Sequence, residues 1–164
     1  MEKGFWMRNH LLERAIAELP ELVGVGLVDI DTGESLGADS ADAQGLTDLS
    51  GLANTTRDLF EGPNIRAIED IFHARRGDQK EPYFKEILFY SKHLVHYFGK
   101  LQHSPRLVLA VVANQNVNIG MLLVKVRALL KEERPTQPIF QDADASGLLS
   151  GKRPNEQESE IVGE

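Results

Sequence analysis

Residues 106–133, RLVLAVVANQNVNIGMLLVKVRALLKEE, constrain the fold more than any other part of the chain. Residues 107–112 are short, aliphatic and largely β-branched, and Pro105 and Asn114 bound them, so they read as a buried strand. Ile119, Leu122, Leu123, Val126, Leu129 and Leu130 then recur at helical spacing and make one wide apolar stripe. Between the two lies a polar turn in which Asn116 or Asn118 can cap the helix, because an Asn side-chain oxygen satisfies a backbone N–H that the first turn leaves without a partner. Pro135 disfavours helical geometry at Arg134 and ends the helix. The stretch is thus a strand, an Asn-x-Asn-(aliphatic)-Gly turn and an amphipathic helix in direct succession.

The remaining elements follow from the same periodicities. Leu12, Ala15, Ile16 and Leu19 give a short amphipathic helix over residues 9–19, which Pro20 stops. Val23-Gly24-Val25-Gly26-Leu27, extended by Val28 and Ile30, is a strand whose glycine face can lie close under a helix. Residues 31–34 form a turn and residues 35–37 a short partner strand. Leu46, Leu49, Leu52, Ala53, Thr56, Leu59 and Phe60 predict a long helix, in which Gly45 and Gly51 cost about 1 kcal/mol each relative to alanine. Gly62-Pro63 breaks it, and Ile65, Ile68, Ile71 and Phe72 predict an additional short helix to about Ala74, followed by a charged loop over residues 75–81. Residues 86–90 and 94–98 are aromatic-rich strands, with a turn over residues 99–105. The order α-β-β-α-(α)-β-β-β-α predicts an α+β domain with one antiparallel sheet and helices on its faces. Residues 1–134 form that domain. Residues 135–164 change composition: six acidic residues face Lys152 and Arg153, a net of −4, and apolar residues are few apart from the pairs Ile139-Phe140 and Leu148-Leu149. Such a segment lacks the apolar surface to order itself, so it is expected to be a disordered acidic tail.

The formal net charge of −7 without a basic stripe argues against nucleic acid as a partner. The chain has no cysteine, so disulfides and thiolate metal sites are excluded. The first 19 residues carry charges throughout and lack a signal-peptide apolar region, and no apolar run approaches the roughly 18 residues of a membrane span. A soluble, cytoplasmic protein without membrane insertion is expected.

Short chemical motifs do not survive their context. Gly24-x-Gly26 has Asp29 at the third glycine position of a dinucleotide fingerprint, and a hairpin follows where a helix is needed. Asp29-x-Asp31-x-Gly33 has Glu34 and Ser40 where a calcium loop needs glycine and a bidentate acid. Asp31-Thr32-Gly33 matches an aspartic-protease tripeptide, but the chain is half helical by pattern and has a single copy. Arg76-Gly77-Asp78 matches an adhesion tripeptide in a chain with no secretion signal. His93 and His96 lie three apart on a strand, which sends them to opposite faces and not to one metal. No nucleophile elbow is present. The Asn-rich turn of residues 114–118 could serve as an active-site loop, but satisfying backbone groups between strand and helix accounts for it. No catalytic residue, metal site or cofactor is expected.

Residues 11–133 resemble the roadblock family, named for dynein light chains and widespread in bacteria as partners of small GTPases. The first helix, Val23-Gly24-Val25-Gly26-Leu27-Val28-Asp29, the turn with Gly33, and above all Asn116-Val117-Asn118-Ile119-Gly120 before the last helix carry the resemblance. Residues 62–81 depart from it as an insertion. The resemblance implies a roadblock/profilin-like fold: a five-stranded antiparallel sheet, the first and last helices on one face and the central helix on the other. It implies homodimers or heterodimers joined along the third strand with central helices side by side, here expected as a homodimer, and a Ras-like small GTPase as partner. Ile87 and Phe89 would lie at the dimer interface, because residues 87–90 are apolar on both faces of an otherwise exposed edge; Gly51 and Ala53 would let two central helices approach closely. The partner surface would hold Asn54, Arg57 and Asp58, alongside Asp48, Thr55 and Glu61. Arg57 can bridge carboxylates bidentately; the plainer alternative pairs it with Glu61 on its own helix for about 0.3–0.5 kcal/mol. A small-molecule-binding sensory module is the competing function, to be favoured by a pocket of roughly 300 Å³ or more lined by Trp6, Phe72 and sheet residues.

Overall fold

The fold is described from a computed structural model over residues 2–40, 49–77 and 83–131, with side chains described from residue 8 and, in the second stretch, from residue 52. The tail of residues 135–164, Leu46 and the end of the 75–81 loop lie outside the described residues, as does the Trp6 side chain. The elements are α1 (Glu2–Glu18), β1 (Leu22–Asp29), β2 (Glu34–Ser40), α2 (Leu49–Glu61), α3 (Pro63–Arg76), β3 (Glu86–Tyr90), β4 (Leu94–Leu101), β5 (Ser104–Asn114) and α4 (Ile119–Lys131). The five strands form one sheet in the order β2-β1-β5-β4-β3, with every pairing antiparallel.

Strand alternation divides the core in two. Val25, Leu27, Val95, Tyr97, Leu109 and Val111 point to the face covered by α1 and α4, where Leu12, Ala15, Leu122, Val126 and Leu129 meet them. Val28, Ile30, Phe98, Val108 and Ala110 point to the other face, under Ala53 and Phe60 of α2. Phe60 is 2% exposed, and burying such a ring is worth roughly 1.5–3 kcal/mol. The glycine face of β1 lies under α2: a Cβ on Gly26 would stand 3.5 Å from both Ala38 and the Leu52 side chain.

The long last helix starts where the sequence placed a cap. Asn118 Oδ1 accepts the Met121 N–H at 3.0 Å, while the Asn114 side chain folds the turn by accepting the Asn116 N–H at 3.2 Å. Lys125 donates to the Glu18 carbonyl at 2.9 Å, so α4 caps the last turn of α1 with a cation that the helix dipole favours there. In the first hairpin, Asp29 is buried and its Oδ1 accepts the Asp31 and Thr32 N–H groups at 3.0 and 3.4 Å. Gly33 adopts φ 73° at the turn. The would-be calcium and protease motifs are thus a hairpin turn.

Four boundaries differ from the sequence reading. Helix α1 begins at Glu2 rather than near Asn9, since Glu, Lys, Met and Arg extend a helix without an apolar stripe. Strand β2 runs to Ser40 rather than stopping at Gly37. Helix α3 occupies 14 residues and has no buried residue. The turn expected over residues 99–105 shrinks to Gln102-His103, because Gly99 is a strand residue. A Cβ at Gly99 would lie 2.5 Å from Leu130 Cδ1 and 2.8 Å from the Tyr97 hydroxyl, so this glycine makes room for packing and does not turn the chain.

Candidate protein interface

Among the described residues, strand β3 is an edge of the sheet and pairs with β4 alone. Its side chains split between the faces: Ile87 packs with the α2-side cluster and Leu88 with the α1/α4-side cluster. Toward its end it carries large exposed apolar groups, Phe89 at 37% and Tyr90 at 63%. The Phe89 ring stacks on His96 at 4.8 Å and on Phe98 at 5.7 Å between centroids. His96 Nε2 lies 3.2 Å from Ser91 Oγ, and burial holds the imidazole pKa below its ordinary value. The opposite edge, β2, has Glu34, Ser35 and Asp39 exposed. The two edges of the sheet thus differ in character: β3 ends on exposed aromatic groups and β2 on polar ones.

The candidate residues on α2 do not share one face. Helical geometry turns about 100° per residue, which places Gly51 and Ala53 on nearly opposite sides of the helix. Ala53 is 1% exposed, packed onto its own sheet in the cluster with Phe60 and Val108. It is therefore not available to a second helix, a correction to the expectation that Gly51 and Ala53 open the same contact. Periodicity had already put Ala53 on the apolar stripe; the small side chain serves the helix–sheet contact.

Asn54, Arg57 and Asp58 are all exposed. Asn54 and Arg57 lie over the β1–β2 turn: the Cβ position of Gly33 is 3.3 Å from Asn54 Oδ1 and 3.6 Å from Arg57 Cδ. Arg57 does not pair with Glu61, whose carboxylate faces Arg66 at 3.8 Å instead. The exposed Asn54 and Arg57 side chains thus reach from the middle of α2 to the turn at Gly33. Sequence spacing alone could not bring the turn and the helix together, since some 20 residues separate them.

Helix α3 continues α2 after a single residue, Gly62. Gly77 at φ 70° caps its far end by donating to the His73 carbonyl. It docks on residues 83 and 84: Glu69 Oε1 accepts the Tyr83 and Phe84 N–H groups at 3.0 and 3.4 Å, and Phe72 stacks on Tyr83 at 4.5 Å. Its outer side leaves Ile68 39% and Ile71 57% exposed. Nearby, the Lys100 ammonium sits 5.0 Å over the Phe60 ring, and burial lowers its pKa against the opposing pull of Glu69, Glu61 and Asp31.

A groove of about 630 Å³ runs between the end of β4 and α4, lined in part by Phe84, Leu101 and Leu130. It exceeds the size set for a ligand site, but Phe72 does not line it. At its wall, the buried Tyr97 hydroxyl donates to Glu86 at 2.7 Å and Arg127 Nε donates to the same carboxylate oxygen at 3.1 Å. The Arg127 bond holds the Glu86 carboxyl below its ordinary range against the opposing effect of burial, while burial and then Glu86 push the Tyr97 phenol well above its own. No group of three or more potential metal ligands occurs among the described residues, and no helix there is long and apolar enough to cross a membrane.

No family model and no curated protein matches the chain. Solved structures do. Myxococcus xanthus MglB is 18% identical, with 79% of this chain and 86% of that chain covered and a TM-score of 0.58. A structure described as MglB with tetrameric arrangement is 16% identical, covers 77% of this chain and 85% of that one, and gives 0.61. A Roadblock/LC7 domain from Streptomyces avermitilis is 16% identical over 77% of this chain and 90% of that one, at 0.51. The chain has the roadblock fold.

Proposed function

We propose that this chain is a non-catalytic homodimeric platform that binds and regulates a Ras-like small GTPase. One observation carries the dimer: β3 ends its sheet on Phe89 and Tyr90, exposed and aromatic, while the β2 edge is polar. Joining two β3 strands would bury these rings and make one sheet of both copies. The GTPase rests on the fold, which is that of a family whose bacterial members are partners of small GTPases. The surface that would meet the partner is the polar one formed by Asn54, Arg57 and Asp58 with the turn at Gly33. A platform of this kind works in the cytoplasm and needs no cofactor. The test is co-purification of the tagged full chain with the proteins encoded beside its gene. Recovery of a small GTPase supports the reading, and recovery of other proteins alone counts against it.

A further inference from the structure

The groove between β4 and α4 combines an apolar lining with several cations. Phe84, Leu101, Pro105 and Leu130 give it an apolar lining, while Lys85, Arg127 and Lys131 set cations around it. Glu86 is its single acid, already engaged by Arg127 and Tyr97. Lys100 also contributes to the lining, but its ammonium is turned to Phe60. A chain with a net charge of −7 thus holds a cationic, apolar-floored groove.

The chain itself supplies a matching segment. Lys131 is the last residue of α4 and lines the groove, so the polypeptide leaves the helix at the groove's mouth. The first apolar pair after that point is Ile139-Phe140, followed by Asp142 and Asp144. Seven residues separate Lys131 from Ile139, and those eight Cα-to-Cα steps have a root-mean-square span of about 16 Å for a flexible chain. That is long enough to fold back and short enough to hold the segment at an effective concentration of order millimolar.

We infer that residues 138–144 dock intramolecularly in this groove, Ile139 and Phe140 against its apolar lining and Asp142 and Asp144 against Lys85 and Lys131. The composition of the tail forbids a packed core of its own, but not docking onto a surface already built.

The absence of cysteine makes the test clean, because Ala143→Cys in the full chain carries a single nitroxide label. Paramagnetic loss of amide signals is read in the oxidised against the reduced sample. The inference requires loss of most of the intensity at Leu101, Gln102 and Leu130, with none at the Gly33 turn. It also requires recovery of those signals in Phe140→Ser and in the charge-reversed pair Lys85→Glu with Lys131→Glu. Absence of loss at the groove, equal loss across the whole domain, or loss unchanged in both variants overturns it. So does loss seen only when labelled chains are mixed with isotope-enriched unlabelled ones, which assigns the groove to the tail of a second copy.

Discussion

Phe89 and His96 lie ring on ring, 4.8 Å between centroids and 12° from parallel, at the outer pair of strands in the sheet. The stack holds Phe89 in place although more than a third of it is exposed. A surface aromatic fixed in this way presents a preformed contact, since little rotamer freedom is left to lose on association.

A Phe89→Lys substitution is expected to convert a dimer into a monomer. The added charge would be buried without a partner in a joined edge, whereas in a single copy it would stay in water. Light scattering at micromolar concentration, together with a thermal melt to show that the variant remains folded, checks this. A wild-type chain that is already monomeric contradicts it.

The edge is also sensitive to acid through His96. Burial lowers the His96 pKa, so folding favours the neutral ring. Its contribution to stability is then fully present above the unfolded value of 6.5 and is lost as pH falls through that value toward the lowered one. The melting temperature is expected to drop between about pH 7.5 and about pH 5.5 by more in the wild type than in His96→Gln. Equal slopes in the two proteins would show that His96 is not the sensor.

Asn118→Ala should cost about 1 kcal/mol, because it removes the only side-chain acceptor shown for the Met121 N–H at the start of α4. Asn116→Ala should stay within about 0.5 kcal/mol, the usual range for a surface change away from such a feature. Urea unfolding of the two variants separates them, and equal losses would mean that the turn, not the cap, is what the asparagines support.

Gly62→Ala should destabilise the junction of α2 and α3. The added Cβ would sit 2.4 Å from the Asp58 carbonyl oxygen, a backbone atom that accepts the Gly62 N–H at 2.9 Å. Relieving the clash moves both helices, at about 1–3 kcal/mol by analogy with overpacked sites. Faster hydrogen exchange in α3 than elsewhere would localise the effect; an unchanged midpoint would show that the junction yields freely.

Much of the fold was legible because strand and helix periods are local. The continuous aliphatic run of residues 107–112 and the stripe from Ile119 to Leu130 lie within β5 and α4, and Glu86–Tyr90 is a strand, as the sequence predicts. Asn118, one of two caps the sequence allowed, is the one used. What failed depended on contacts between distant residues. Gly99 looked like a turn residue because its packing partners, Leu130 and Tyr97, are set by tertiary structure. Ala53 is a different case: its size suggests room for a second helix, but its place in the stripe, itself a local signal, puts it against its own sheet. The meeting of Arg57 with the Gly33 turn, and the groove beside α4, have no local signal at all.

Titration of the full chain with purified Ras-like GTPases of the source organism, each in the diphosphate- and triphosphate-bound states, tests the central claim most directly. The account predicts saturable binding to at least one of them, stronger in one nucleotide state, and weakened by roughly tenfold or more in Arg57→Ala if that guanidinium meets a carboxylate at the interface. Normal binding by the variant would remove Arg57 from the surface and leave the platform standing. Binding to none of the GTPases in either state would contradict the account.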